Sequence, residues 1–388
     1  MLIKNKKILQ EYILHGFMVL YAISLFWLYY NQSIADFTQT EILYQSDLPL
    51  HISMIIEDGW YYSFTAYAYI VLYLLFGKTT IGIALLLTIV SVASVYATKR
   101  LLDVLFQEKQ EDRCTLALAI CLNFVMPIFI SQVGEFRYVS YQSANIWHNS
   151  TYIMMKFFAI IVVQLYFKMM DTYGTTITCR NWITYMLLVV IATGIKPSFL
   201  VTFSPIVGFF LLYDLIHKTS WKQVLLFGSA LLPAGIVILW QNLVLFGEDT
   251  GNGIVFDPWY TFSLHANIPK LAVVCSALFC GLVGVLTLKL LRKDRKYLFI
   301  VCMTILGFLQ ALCFTESGTR AVDGNFLWGY SLCLFFLFTV TAVKWIELQK
   351  NGGWKYIRIM LGAVFAWHLY CGIYFYLELL SGTTYFMR

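Results

Sequence analysis

The chain has 388 residues, of which 60% are hydrophobic and only 12% carry a charge. A soluble protein of this length could not bury so much apolar surface, and several apolar runs reach the ~20 residues that cross a bilayer as a helix. The composition therefore excludes a soluble protein and predicts a polytopic membrane protein. The net charge of +6 lies in short loops, where it favours anionic lipid headgroups over nucleic acid.

About eleven apolar runs are predicted to span the membrane, each as a helix, because backbone groups in lipid must be satisfied within the segment. The fold class is therefore all-α, and residues 1–388 form a single membrane domain. The predicted spans are 12–30, 80–98, 114–131, 151–170, 182–195, 199–216, 223–246, 269–290, 297–314, 327–346 and 356–380.

The loops between these runs alternate between basic and acidic. If the N-terminus is cytoplasmic, all but seven of the 27 basic residues lie inside, as the positive-inside rule describes. This predicts a multi-pass plasma-membrane protein whose chemistry takes place on the extracytoplasmic side. The seven outer basic residues are Lys78, Arg137, Lys156, Lys196, Lys270, Arg320 and Arg388.

The run 60–77 is apolar enough to cross the membrane, but a crossing there would invert every loop that follows. It is rich in Trp and Tyr, which favour the headgroup level. We therefore predict a helix that lies at the outer interface, within a first outer loop covering 31–79. A twelfth spanning helix is the alternative.

The first outer loop contains the sequence SDLPLHISMIIEDGWYY. Asp47 and His51 are four residues apart, so a helix would place them on one face. Glu57 and Asp58 follow, just before an aromatic cluster that could receive a sugar ring. A carboxylate in this loop can act as a general base toward a hydroxyl, whereas the structural alternative for Asp47 is a helix N-cap.

Further outer loops are predicted at 132–150, 247–268 and 315–326. The first carries Arg137 and His148 and leads to Lys156, which at that depth needs an anionic partner or snorkels to the interface. Lys196 stands at a helix break made by Pro197, where a cation can meet a phosphate. The loop 247–268 is either a lid over an acceptor or a plain hydrophilic connector.

The loop 315–326 is the densest polar cluster on the outer side and contains Glu316, Arg320, Asp323 and Asn325. A guanidinium can hold two phosphate oxygens at once, and the carboxylates can bind hydroxyl groups. We expect Arg320 to bind a phosphate. The alternative is a structural ion pair between Glu316 and Arg320 at a helix end.

The layout of the chain, the DLPLH segment, the Lys196-Pro197 break and the outer basic residues together resemble the GT-C superfamily of integral-membrane glycosyltransferases. That superfamily includes protein mannosyltransferases and bacterial lipid-linked sugar transferases. An acidic residue of the first outer loop is the catalytic base there, and the resemblance gives this role to Asp47. Because Ser46 precedes Asp47, no adjacent acidic pair is present at that point, and the Glu57-Asp58 pair is the alternative base.

The resemblance implies inverting transfer of a sugar from a polyprenyl-phosphate donor to a glycan or lipid-linked acceptor, as in bacterial cell-surface polysaccharide pathways. Asp47 would deprotonate the acceptor, and Arg320, Lys196, Arg137 and His148 would neutralise the phosphate. One alternative is a polymerase or ligase that uses polyprenyl-diphosphate glycans. Another is a lipid or sugar transporter, which should have inner charges or broken helices. The sequence assigns no cofactor, and it is compatible with a divalent metal ion.

Overall fold

The computed structural model describes residues 2–36, 43–217, 219–245, 253–291, 293–350 and 355–388. Within these ranges the protein is almost wholly helical, and the only sheet is a pair of three-residue strands. Nine helical segments of the described chain are long and apolar enough to cross a membrane. The all-α, polytopic fold expected from the composition is therefore confirmed.

The elements follow one another with short connections. The helices are α1 (Leu2–Ser33), α2 (Leu48–Ile56), α3 (Phe64–Leu75), α4 (Ile81–Leu105), α5 (Asp112–Leu122), α6 (Ser150–Met170), α7 (Cys179–Ile195), α8 (Ser198–Ile216), α9 (Trp221–Ser229), α10 (Leu232–Leu245), α11 (Tyr260–Ser263), α12 (Pro269–Leu286), α13 (Leu288–Leu291), α14 (Arg295–Cys313), α15 (Leu327–Lys350) and α16 (Lys355–Leu380). The strands are β1 (Ile254–Phe256) and β2 (Phe314–Glu316), and a 3₁₀ helix covers Gly318–Asp323.

The helices α6 and α15 are the most buried of the spanning segments. α6 packs between α4 and α7, and α15 packs against α12 and α14. Helices at the periphery of the bundle, such as α10, expose large apolar side chains, including Leu232, Ile236, Leu239 and Leu243. Apolar residues on every side are expected of helices that face protein on one side and lipid on the other.

The predicted span 114–131 is wrong in its second half. The helix α5 ends at Leu122 and has only 11 residues, and the next eight residues, apart from a short turn at their start, run as non-helical chain. Because α5 covers about 16 Å at 1.5 Å per residue, it crosses only part of the ~30 Å hydrocarbon layer. The helical part of this predicted span is therefore shorter than a full crossing.

The non-helical segment 123–130 is buried against neighbouring helices, which satisfy its backbone. The amide of Met126 donates to the carbonyl of His368 in α16 over 3.1 Å, and the amide of Ile128 donates to Cys275 in α12 over 3.1 Å. The Nδ1 atom of His368 lies 2.7 Å from the Met126 carbonyl and donates to it. Irregular backbone is tolerated at membrane depth when protein groups pair with it in this way.

Two other predicted spans differ in detail. The segment 182–195 corresponds to α7, which has only 17 residues but runs beside α6 from one end of the bundle to the other. The segment 223–246 is divided into α9 and α10 by a short break. Together they still form one candidate crossing, Trp221–Leu245.

Charged residues gather at one end of the bundle, where four ion pairs join loops and helix ends. This grouping brings the region 99–113 together with the first helix, and it brings the start of α14 together with the ends of α6 and α15. The pairs are Lys7 with Glu111 (2.6 Å), Lys99 with Asp112 (2.9 Å), Lys296 with Asp171 (2.8 Å) and Lys344 with Asp294 (2.5 Å). These are loops that the charge pattern assigns to the cytoplasm.

The helix α3 lies across the opposite end. Its 12 residues cover about 18 Å, which is too short to span. The hydroxyl of Ser63, just before α3, donates to the Ile195 carbonyl at the end of α7 over 2.9 Å. Shortly after α3, Thr80 accepts a hydrogen bond from Ser33 at the end of α1 over 2.7 Å. Both ends of α3 are therefore at one level, and it exposes Tyr67, Val71, Leu74 and Leu75.

Candidate active site

Polar residues from four separate parts of the chain meet at the end of the bundle that carries α3. They come from the start of α2, the start of α6, the junction of α7 with α8, and the segment between β2 and α15. Each part lies where a helix begins or ends, so the helices hold the polar side chains in fixed positions. The residues concerned are Asp47, His51, His148, Asn149, Thr151, Lys196, Glu316, Arg320, Asn325 and Trp328.

Asp47 occupies the N-cap position of α2, but its carboxylate makes no capping hydrogen bond to that helix. It instead accepts a hydrogen bond of 2.6 Å from Nδ2 of Asn149. The backbone amide of Asp47 donates to the His148 carbonyl over 3.1 Å. The half-buried carboxylate is thus directed toward α6, which disagrees with the alternative of a simple side-chain cap.

A continuous set of hydrogen bonds leads from Asp47 to a lysine. Asn149 is the N-cap of α6, and its Oδ1 accepts from the amide of Tyr152 (2.8 Å) and from the hydroxyl of Thr151 (2.9 Å). The same Thr151 oxygen accepts from Nζ of Lys196 over 3.1 Å. A carboxylate and an ammonium are therefore connected through two intervening side chains, Asn149 and Thr151.

The path of contacts continues from Lys196 to Trp328. The ammonium nitrogen of Lys196 lies 4.5 Å from the centre of the Trp328 ring, a distance typical of cation–π contacts. The indole nitrogen of Trp328 donates to Oδ1 of Asn325 over 3.2 Å, and Nδ2 of Asn325 donates to Glu316 over 2.9 Å. The buried carboxylate of Glu316 also accepts from Nε of Arg320 over 2.7 Å.

Arg320 therefore does form the ion pair with Glu316 that the sequence left as an alternative. This bond uses Nε, and in the described part of the chain neither Nη1 nor Nη2 donates a hydrogen bond. Asp323, on the same 3₁₀ helix, is exposed. Arg320 can therefore keep its ion pair with Glu316 through Nε and bind a second anion through its terminal amino groups.

Burial changes the charge states of the basic groups in this cluster. It lowers the pKa of Lys196 to about 8, against the opposing attraction of the Asp47 carboxylate. It also lowers the pKa of His51 and of His148 to about 4, although Asp47 opposes this shift too. At neutral pH Lys196 is charged and both imidazoles are neutral, so His148 does not supply the positive charge that the sequence suggested.

The imidazole of His148 is enclosed by aromatic rings. The ring of Tyr385 stacks on it at 4.2 Å with an angle of 10°, and the ring of Tyr138 meets it edge-on at 4.5 Å. The Nδ1 atom of His148 has no hydrogen-bond partner among the described residues. The other imidazole, of His51, has its Nδ1 3.0 Å from the hydroxyl of Ser150.

Three of the residues predicted from the sequence do not join this cluster by any hydrogen bond or ion pair within the described chain. Glu57 and Asp58 are exposed at the end of α2, where Glu57 accepts a hydrogen bond from Ser53 over 2.7 Å. The guanidinium of Arg137 lies between the rings of Phe129 and Tyr374, at 4.3 and 4.5 Å. These three residues lie on the predicted outer side, but they are not part of the cluster.

The loop 132–150 is not a solvated loop, because every residue from 141 to 150 is buried. The next predicted loop, 247–268, is described only from residue 253 onward, and residues 247–252 lie outside the described part. Its strand β1 pairs antiparallel with β2, so that Val255 stands opposite Thr315. This pairing holds the second half of that loop against the Glu316 segment.

Lys156 neither snorkels nor meets a carboxylate within the described residues. Its side chain is only 7% exposed, and its ammonium donates to Oδ1 of Asn145 (2.5 Å) and of Asn123 (3.0 Å). The ring of Phe335 lies 3.9 Å from the same nitrogen. The partners of Lys156 are therefore amide oxygens of two asparagines, and not the anion that the sequence suggested.

Asn149 and Thr151, which connect Asp47 with Lys196, were not predicted from the sequence as site residues. A signal was available, because asparagine directly before a long apolar run is a favoured N-cap. No group of three or more His, Cys, Asp or Glu side chains that could hold a metal ion occurs in the described ranges. No protein-family model matches the chain, and no curated protein matches its sequence.

Proposed function

We propose that the chain is an integral-membrane glycosyltransferase of the GT-C type, using a polyprenyl-phosphate sugar as donor and a glycan or lipid-linked acceptor. The observation that carries this proposal is the hydrogen-bonded path from Asp47 through Asn149 and Thr151 to Lys196. Glycosyl transfer from a phosphate requires a base beside the acceptor and a cation beside the leaving phosphate. The path provides one of each at the same end of the bundle.

In the proposed reaction Asp47 takes the proton of the acceptor hydroxyl. The acceptor oxygen then attacks the anomeric carbon, and the bond from that carbon to the phosphate oxygen breaks with inversion. Asn149 orients the base, because it holds Oδ2 of Asp47 at 2.6 Å. No other described residue donates to Oδ1 of Asp47, so this oxygen is free to receive the proton.

The departing polyprenyl phosphate gains negative charge as this bond breaks. Lys196 and the terminal amino groups of Arg320 are the cations proposed to stabilise it, because donors already in position cost little reorganisation. The neutral His148, with its unpartnered Nδ1, is proposed to exchange a hydrogen bond with the substrate. The active site would lie on the extracytoplasmic face of the plasma membrane, with the N-terminus inside, as the distribution of basic residues favours.

One feature favours a second candidate. The half-helix α5, the non-helical segment 123–130 and the buried Lys156 lie at membrane depth, and broken helices with internal polar groups are typical of secondary transporters. A lipid or sugar transporter is therefore the second candidate function. A polymerase or ligase would use the same outer cations and would differ in the size of the glycan transferred.

The test uses the purified protein in lipid nanodiscs with a polyprenyl-phosphate hexose donor and a set of glycan and lipid-linked acceptors. Release of polyprenyl phosphate and formation of product are measured together. Asp47→Asn should lower turnover by roughly 100- to 10,000-fold, the usual effect of removing a general base. Glu135→Gln is the matched control, since Glu135 is an exposed carboxylate near the same end, paired with Arg388.

Each result has a definite meaning. Full activity of Asp47→Asn together with loss in Glu57→Gln or Asp58→Asn would move the base to the pair at the end of α2. Transfer of a whole glycan from a polyprenyl diphosphate would identify a ligase. Movement of unmodified substrate across a proteoliposome membrane, without product, would reject the transferase and support the transporter.

A further inference from the structure

A small cavity lies inside the bundle, between α1, α4, α6 and the residues that follow α5. Its volume of about 20 Å³ exceeds the ~10–15 Å³ that a single water-sized guest occupies. Its walls include Tyr21, Tyr29, Ser91 and the Lys156 ammonium, together with Asn123 and Asn145. The cavity is separate from the Asp47 site, and the proposed reaction does not use it.

The positions of both asparagine side chains show that Lys156 acts as a donor. Nδ2 of Asn123 donates to the Ala119 carbonyl over 2.8 Å, and Nδ2 of Asn145 donates to the Leu122 carbonyl over 2.9 Å. Their Oδ1 atoms therefore face Lys156. The Phe335 ring, 3.9 Å from Nζ, presents a negative face that attracts an ammonium and repels an amine lone pair. The two amide oxygens and the ring face therefore favour the ammonium form at this position.

The charge of Lys156 is only partly balanced. No described carboxylate lies within ion-pair distance of it. The nearby end of α5 contributes the negative pole of a helix, equivalent to roughly half an elementary charge. Charged side chains inside membrane bundles usually pair with one another or with backbone carbonyls, so an ammonium at Lys156 gives the cavity beside it a net positive character.

The hydroxyl groups of the cavity have more hydrogens than acceptors. The oxygen of Tyr21 accepts from the indole of Trp147 over 3.3 Å, and its own hydrogen has no described acceptor. Tyr29 and Ser91 share one hydrogen bond of 2.8 Å, which uses one of their two hydrogens. Two buried hydroxyl hydrogens are thus left over, and each is costly if nothing accepts it.

We propose that this cavity binds one small monovalent anion of the size of chloride, held by Lys156 and by the hydroxyls of Tyr21 and of the Tyr29–Ser91 pair. An anion accepts hydrogen bonds without donating any, so it satisfies the surplus hydrogens and balances the ammonium. A water molecule would accept two hydrogens but bring two of its own, so the surplus of donors would stay the same. The ligand is identified by charge and size, and chloride is the probe for it.

The test measures the melting temperature of the purified full-length protein in detergent at neutral pH and constant ionic strength. The protein is first equilibrated in sodium gluconate, and chloride or bromide then replaces gluconate stepwise. A ligand that binds only the folded protein raises the melting temperature, and above its dissociation constant the rise follows the logarithm of the ligand concentration. A rise of a few degrees is expected with either halide, and bromide in a crystal should give an anomalous peak beside Lys156.

Two variants remove parts of the site, and one serves as control. Lys156→Met should abolish the halide response, and Tyr21→Phe should weaken the apparent halide affinity several-fold while keeping the ring in place. Tyr376→Phe is the matched control, because the Tyr376 hydroxyl is bonded to Ser24 over 2.7 Å and does not line the cavity. Its halide response should equal that of the unmodified protein.

The proposal is overturned if the unmodified protein melts at the same temperature in halide and gluconate. It is equally overturned if Tyr21→Phe and Lys156→Met respond to halide as the unmodified protein does, since the anion would then act elsewhere. If Lys156→Met does not fold, the comparison of Tyr21→Phe with Tyr376→Phe decides the question.

Discussion

Replacing Gly372 by alanine should destabilise the protein, because this position lies where α16 meets the non-helical segment 123–130. A Cβ atom at Gly372 would overlap the carbonyl oxygen of Phe124 and would lie 2.6 Å from its carbonyl carbon. Carbon atoms in relaxed contact are ~3.5–4.0 Å apart. The segment would therefore have to move away from α16 by about 2 Å, chiefly to clear the carbonyl oxygen.

The size of the effect follows from three contributions. Overpacking a closely packed contact costs about 1–3 kcal/mol. The movement also weakens the two hydrogen bonds between Met126 and His368, each worth about 1 kcal/mol. Against these losses, alanine in place of glycine within a helix stabilises the folded state by about 1 kcal/mol. The free energy of unfolding should therefore fall by about 2–4 kcal/mol.

Thermal unfolding in detergent, followed by intrinsic fluorescence, measures this difference. Gly281→Ala in α12 is the matched control, since a Cβ there would meet no atom within 4 Å. The control should melt at or slightly above the temperature of the unmodified protein. If Gly372→Ala melts together with the control, the segment does not pack on α16 as described, and the account of the broken α5 is refuted.

Charged residues at the two ends of the helical bundle give three more predictions. The apparent KM for the donor should rise as pH increases through about 8, because Lys196 loses its charge there; Lys196→Arg should remove this dependence, and an unchanged pH profile would exclude a role for the lysine charge. Glu316→Gln and Arg320→Gln should each lower the melting temperature while the double variant recovers part of the loss; additive losses would show that the pair is uncoupled. A cysteine at position 58 should react with a membrane-impermeant maleimide on intact cells and one at 109 should not, and the reverse pattern would invert the proposed orientation.

Hydropathy was sufficient to predict most of the helices, because a spanning helix needs a long apolar run and few other structures do. It failed at 123–130 for a physical reason. Phe124, Val125 and Met126 are as deeply buried in extended chain as they would be in a helix, so apolar composition reports burial and not backbone conformation. The hydrogen-bond partners that permit the extended form, in α12 and α16, are distant in sequence.

The candidate site could be predicted in part. Charge and topology placed the predicted polar residues at one end of the bundle, and the structure joins most of them in one cluster. Their lateral positions could not be predicted, because a loop assignment gives depth along the membrane normal and says nothing of neighbours within the layer. Glu57, Asp58 and Arg137 are consequently outside the cluster, and Asn149 and Thr151, which connect it, were not selected.

The loops around the site are joined to each other by main-chain hydrogen bonds. Strand β1 pairs with β2, Gly134 bridges to Ala266, and the amide of Ile268 donates to Val133 over 3.0 Å. The amide of Arg137 donates to Met387 over 2.8 Å. Amides in such a layer should exchange with deuterium as one cooperative unit, so a ligand that orders any one of these segments would slow exchange in all of them.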